Sequence, residues 1–292
     1  MSSDDLDFSR PAGAAKPAPA PPPPVFVPAI ARAFFESAGK EEGFPAGTVI
    51  FAENDKASRI LLRRDKMYFL VDGEVALMAK GKPVGAAGAG EIFGEMATIS
   101  DSPRSATAVA RTACRVLSLD DRQFAAALAR RPEFALMMLG TMISRLRAML
   151  ARHSGTLSAP GVVKESRVFD KALTATLADG LGDRATVRYE RGKVIMVAGQ
   201  PGALMYVVSE GRVAISIRGA VVERVGPGGV FGEMALVDQS PRAANAVAET
   251  DCALLAINRL VFLNLVKADP TFGVSLLAAM AERLRNTAAA LN

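Results

Sequence analysis

The sequence predicts an α+β, mainly β protein made of two tandem β-jelly-roll barrels, each with flanking helices. Three observations lead there: a gapless internal repeat, short strand-like runs separated by glycine turns in each copy, and a helical periodicity closing each copy. A shift of 138 positions lays residues 67–148 on residues 205–286. Phe93-Gly94-Glu95-Met96-Ala97 then falls on Phe231-Gly232-Glu233-Met234-Ala235, and Ser102-Pro103-Arg104 on Ser240-Pro241-Arg242. Pro132-x-Phe134 falls on Pro270-x-Phe272, and Arg145-Leu146-Arg147 on Arg283-Leu284-Arg285. Eleven of the seventeen positions from Phe93 to Val109 are identical in the second copy, which excludes chance. A period this long means a duplicated domain, because solenoid repeats run to roughly 20–50 residues.

The chain divides into a disordered proline-rich tail (1–28), a first domain (29–151), a linker with a helix (152–184) and a second domain (185–292). The tail segment from Pro11 to Pro28 is too rich in proline for a sheet or a helix interior and reads as a semi-rigid tether. A docking site for a proline-recognising partner is the alternative. In each copy strands begin at Val49-Ile50-Phe51 and Val194-Ile195-Met196. Strands through Tyr68–Val71 and Tyr206–Val208 follow, turning at Asp72-Gly73 and Glu210-Gly211 into Glu74–Leu77 and Arg212–Ile217. Two further short strands lead to helices. Pro132 opens one in which Leu136, Leu139, Ile143, Leu146 and Leu150 recur at helical spacing, and Pro270 opens its counterpart with Phe272, Leu276, Met280 and Leu284. Such a stripe packs on its own barrel or marks the seam of a homo-oligomer. The first copy carries seven extra residues, placed at Arg59–Asp65, as a longer loop or a contact surface.

Composition narrows the function classes. With 292 residues, 50% of them hydrophobic and 22% charged, both domains can bury a core. The net charge of +5 is spread without a dense basic run, so it favours anionic partners without marking a nucleic-acid arm. No apolar stretch reaches the ~20 residues of a membrane span, and the acidic N-terminus is no secretory signal, so a soluble, cytoplasmic protein is expected. Cys114 and Cys252 lie at equivalent positions of their own copies, which suits small buried hydrophobes rather than a disulfide. The single histidine, His153, has no catalytic or metal-binding partner, and no nucleophile triad or Walker loop is present. The chain is therefore expected to be no enzyme, with no metal and no cofactor.

The repeated cassette carries the chemistry. A glycine opening a short helix leaves backbone N–H groups free and lets a ligand approach the main chain, which suits an anion. An arginine nine residues after the glutamate can return to fork onto the same phosphate. The glutamate accepts only, so it faces a hydroxyl donor or pairs with the arginine. Small Ala97, Ala106, Ala235 and Ala244 leave room for a sugar. The alternative is a structural Glu–Arg pair capping a tight loop, a weak source of stability by itself.

FGEMATISDSPRSATAV and FGEMALVDQSPRAANAV resemble the phosphate-binding cassette of cyclic nucleotide-binding domains, the sensor modules of catabolite activators, kinase regulatory subunits and gated channels. The resemblance covers residues 30–151 and 185–292. It implies that Glu95 and Glu233 accept the ribose 2′-hydroxyl and that Arg104 and Arg242 neutralise the cyclic phosphate. Gly94, Met96, Ala97, Gly232, Met234 and Ala235 would then line the cassette. The residue after the arginine bears on the base: Ala243, with Ala244 behind it, resembles adenine-preferring relatives, whereas Ser105, followed by Ala106, implies weaker discrimination. The implied ligand is cAMP, with cGMP second, and the implied partner is a protein effector. Two departures stand out. No helix-turn-helix follows Leu284-Arg285-Asn286-Thr287, so direct DNA binding is not expected. The inhibitory Arg-Arg-x-Ala/Ser element of kinase regulatory subunits is also missing. The competing expectations are a scaffold with silent cassettes and a receptor for another phosphorylated ligand, such as a cyclic dinucleotide.

Overall fold

The computed structural model describes residues 26–56, 65–152, 165–166, 168–238 and 241–291. The proline-rich run before Phe26, residues Arg59–Arg64 of the extra segment, His153 and Ser240 lie outside the described residues. The first copy runs α1 (Pro28–Glu36), β1 (Lys40–Phe44), β2 (Val49–Phe51), β3 (Lys66–Asp72), β4 (Glu74–Ala79), β5 (Lys82–Gly88), β6 (Ile92–Phe93), α2 (Glu95–Ser100), β7 (Thr107–Ala110), β8 (Cys114–Asp120), α3 (Asp121–Arg130) and α4 (Glu133–Arg152). A short β9 (Glu165–Ser166) and α5 (Lys171–Leu181) follow. The second copy repeats the order: β10 (Thr186–Tyr189), β11 (Val194–Met196), β12 (Leu204–Glu210), β13 (Val213–Ile217), β14 (Ala220–Val225), β15 (Val230–Phe231), α6 (Ala235–Asp238), β16 (Asn245–Ala248), β17 (Cys252–Asn258), α7 (Arg259–Ala268) and α8 (Pro270–Leu291).

Each copy folds two sheets face to face. The first has sheets β1-β8-β3-β6 and β2-β7-β4-β5. The second has β10-β17-β12-β15 and β11-β16-β13-β14, the latter extended by parallel β9. Register is conserved across the repeat: Tyr68 opposes Ser118 and Phe69 opposes Leu117, as Tyr206 opposes Ala256 and Val207 opposes Leu255. The predicted two-barrel architecture is what the chain adopts.

Strand β3 shows why its sequence reads as an unbroken apolar run. Tyr68 and Leu70 point into the barrel with Phe51, Val75, Phe93 and Val116, while Met67 and Phe69 point outward into the helices. Successive side chains alternate faces, and both faces here are covered. Tyr206 and Val208, against Met205 and Val207, divide in the same way in β12. Cys114 and Cys252 are free, buried and confined to separate barrel cores, as small hydrophobes. The helices after the barrels have defined starts. Asp120 and Gln123 form a reciprocal capping box on α3, and Asn258 caps α7 through Val261 N–H at 2.9 Å.

The helices of the two copies share one apolar core. Helix α4 packs on α8 and on α6, and α8 packs on α2 and α3, so each long helix reaches the other copy's cassette helix. Leu136, Leu139 and Ile143 of α4 are buried in this core with Phe272, Leu276, Met280 and Leu284 of α8. The leucine stripe is thus a seam, formed within one chain by its two copies. Phe134 stacks on Phe34 of α1 at 3.7 Å, and its counterpart Phe272 stacks on Phe169 at 5.1 Å.

The register also brackets the extra segment. Arg104 N–H donates to Asp55 O and Arg242 N–H donates to Gln200 O, both at 2.8 Å, which equates Asp55 with Gln200. Lys66 and Leu204 open equivalent strands β3 and β12. The seven additional residues therefore lie between Asp55 and Lys66, and the last residue before β3, Asp65, pairs with the cassette arginine.

Candidate functional site

Each cassette starts on a glycine in the left-handed region, Gly94 at φ 74° and Gly232 at φ 75°. A side chain is excluded there for a second reason. A Cβ at Gly94 would sit 2.9 Å from Arg104 Nη1, and one at Gly232 would sit 2.8 Å from Arg242 Nη1. The glycine thus turns the chain sharply and leaves its carbonyl to receive the returning arginine.

In the first copy Arg104 is buried, with 5% exposure. It donates to Gly94 O at 2.7 Å and Lys66 O at 2.8 Å, pairs with Asp65 at 3.3 Å and lies over the Phe51 ring at 4.1 Å. Glu95 is the first residue of α2 and is also buried. Its partner is Arg145 of α4, whose Nη1 donates to Oε1 at 2.7 Å. The two cassette residues therefore take different partners, and the pairing of Glu95 with Arg104 that the sequence leaves open is not formed.

The second copy keeps the frame and changes the partners. Arg242 donates to Gly232 O at 3.2 Å and is half-buried, with Gly202 so close that a Cβ would collide with its guanidinium. Burial lowers Arg242 from its usual value, while Tyr206 and Glu233 act in the opposite sense. Glu233 is buried, and burial pushes its carboxyl above the usual range, against the pull of Arg283 and of its own backbone N–H. Arg283, the counterpart of Arg145, pairs instead with Glu223 of β14 at 3.0 Å.

The remaining expected residues fall into three groups. Ala97, Ala235 and Ala244 are buried, and Ala106 is half-buried. Met96 and Met234 turn toward the shared helical core, so only their backbone faces the cassette. Ser105 and Ala243 are exposed at its rim. Five groups escaped the sequence reading as site residues: Arg145, Arg283, Glu223, Asp65 and the Lys66 carbonyl. The repeated Arg-Leu-Arg on the helix was a visible signal for the first two, whereas only the fold brings β14 and the Lys66 carbonyl to the cassette.

Among the described residues no group of His, Cys, Asp and Glu is arranged to hold a metal ion, and no single helix is long and apolar enough to cross a membrane. One end of α8, however, ties to the first cassette, with Arg285 Nη1 donating to Ser100 Oγ at 2.8 Å.

The cyclic nucleotide-binding domain family model matches residues 41–131 and again 186–269. A curated relative, the cAMP-dependent protein kinase regulatory subunit of Eremothecium gossypii, is 30% identical over 203 residues, which is 69% of this chain and 40% of the relative. The chain thus spans less than half the length of that protein. Among solved structures, the regulatory domain of Toxoplasma gondii PKA with cAMP is similar over 88% of this chain and 95% of its own, at 23% identity and a TM-score of 0.30. The catabolite activator protein of Thermus thermophilus is similar over 41% of this chain and 57% of its own, at 34% identity and a TM-score of 0.36. With the family match falling once on each barrel and including both cassettes, the chain belongs to the cyclic nucleotide-binding domain family.

Proposed function

We propose that both copies bind a cyclic nucleotide, with cAMP preferred over cGMP, and that the chain is a non-enzymatic receptor signalling to a protein partner. The observation that carries this reading is the duplicated glutamate–arginine set, Glu95 with Arg104 and Glu233 with Arg242, on the same left-handed glycine, with both glutamates and Arg104 buried and Arg242 half-buried. Burying three ionisable groups and half-burying a fourth is costly, and in the first copy a structural Glu–Arg pair does not account for it, since Glu95 and Arg104 bind other groups. An anionic ribose phosphate does account for it: its phosphate takes the arginine fork and the cassette amides, and its 2′-hydroxyl donates to the glutamate. The regulatory subunit similar to this chain belongs by name to a cAMP-dependent protein kinase, which supports the same ligand and a kinase among the partner classes.

In this reading Arg145 holds one oxygen of Glu95 and leaves the other for the ribose. Occupancy of the site then acts on α4, and through α4 on α6 and α8 of the second copy. At the rim, Ala243 favours adenine in the second site, and Ser105 discriminates less in the first.

Titration calorimetry with cAMP and cGMP on the wild type, Arg104→Ala and Arg242→Ala tests the proposal. Each arginine variant is expected to lose one site or weaken it about a hundredfold, leaving an uncompensated phosphate. No heat with either nucleotide at high micromolar concentration refutes the reading. Heat with a cyclic dinucleotide alone replaces the ligand.

A further inference from the structure

The two copies place the same arginine on different carboxylates. Arg145 on α4 and Arg283 on α8 are equivalent by the repeat, as are Glu95 and Glu233. Arg145 donates to Glu95 at 2.7 Å. Arg283 donates to Glu223 Oε2 at 3.0 Å, and among the described residues Glu233 has no ion pair. The counterpart of Glu223 is Gly85 on β5. A Cβ at Gly85 would meet only Leu77 Cδ1, at 3.9 Å, so the first copy has space for a side chain there and lacks only the competing acid.

Position 85 against 223 is thus one place where the repeat changes the charges around the helix arginine. Three ionic groups act on Glu233: Arg283 from α8, Arg242 from the cassette loop and Glu223 from β14. The two arginines favour its ionised form and Glu223 opposes it, against a background of burial that raises the carboxyl. Glu223 is only 17% exposed on its side chain, so its charge is poorly screened from its neighbours.

We propose that Glu223 is a positioning residue of the second site: by holding Arg283 it deprives Glu233 of the cation that Glu95 has, and so weakens the second copy's grip on an anionic ribose phosphate. The effect on binding rests on the nucleotide reading above, whereas the hold on Arg283 does not. Replacing Glu223 acts twice in the same direction. It removes a negative charge beside an anion site and frees Arg283 to orient the glutamate.

Two measurements on the full chain test this. In ligand-free protein carrying 13C-labelled glutamate, the Glu233 carboxyl, assigned through Glu233→Gln, is titrated by NMR. Its midpoint is expected to fall in Glu223→Gln and in Glu223→Gly, and to fall less when Arg283→Ala is added, because the arginine mediates the change. In calorimetry with cAMP in an Arg104→Ala background, Glu223→Gln is expected to tighten the second site about three- to tenfold, the scale of one partly screened unit charge. An unchanged Glu233 midpoint, or a fall of the same size without Arg283, overturns the positioning role. Unchanged affinity for bound cAMP overturns the effect on binding. If cAMP gives no heat with any variant, the nucleotide reading fails, and the midpoint alone still decides whether Glu223 holds Arg283 off.

Discussion

Replacing Arg104 by alanine tests the cassette before any ligand arrives, because its guanidinium is already committed to the protein. It serves two backbone carbonyls at 2.7 and 2.8 Å, the Asp65 carboxylate at 3.3 Å and the Phe51 ring at 4.1 Å. Asp65 is 12% exposed on its side chain, so truncation removes a cation from beside a nearly buried carboxylate and one donor from each of two carbonyls. A hydrogen bond to a charged group contributes roughly 1.5–3 kcal/mol, and a partly desolvated cation–π contact about 1 kcal/mol. The arginine's own desolvation offsets part of this sum, leaving a net loss of ~2–4 kcal/mol. Arg242 makes one longer bond, to Gly232 O at 3.2 Å, and is less buried. Its truncation should cost ~1 kcal/mol or less. Urea denaturation of the nucleotide-free protein, followed by circular dichroism, reads the difference. With a slope of ~3 kcal/mol/M, Arg104→Ala lowers the midpoint by about 1 M and Arg242→Ala by about a third of that. Equal shifts, or a larger one for Arg242→Ala, refute the view that the first cassette is the more internally tied.

Two further outcomes follow from the same geometry. Because burial raises the Glu233 carboxyl above its ordinary 4.5, this group's contribution to stability is complete below that pH and is lost as pH rises through the folded value. Measured by thermal melts, the wild type should therefore lose stability relative to Glu233→Gln from about pH 4.5 toward neutrality, and a pH-independent difference contradicts the shift. Phe134→Ala empties a fully buried position stacked on Phe34 and should cost ~3–5 kcal/mol. Since that ring lies in the core shared by both copies, the melt should move as one transition, and a split melt with the second copy unshifted contradicts the shared core.

Much of the fold was legible because the repeat presents each element twice. The β3 and β12 runs, the glycine turns at Gly73 and Gly211 and the helices after Pro132 and Pro270 all occur where periodicity and turn chemistry place them. The leucine stripe was legible as an apolar face, but not its partner, because a helical period reports that a surface is buried without reporting against what. That partner is α8 of the other copy.

The cassette divides along the same line. The residue types, their spacing and their duplication are local properties of the chain, so the sequence alone determined the family, the two barrels and the glycine–glutamate–arginine set. Which partner each charge takes is decided by side chains that are remote in sequence. Asp65 and the Lys66 carbonyl, at the start of β3, reach Arg104 from almost forty residues away, and Arg145 reaches Glu95 from fifty. Glu223 draws Arg283 away from Glu233 across sixty residues. Such pairings depend on a few ångströms of separation, since Coulomb attraction and hydrogen bonding fall off over that range. Only the folded chain sets those distances, and it sets them differently in two copies whose cassettes are nearly the same.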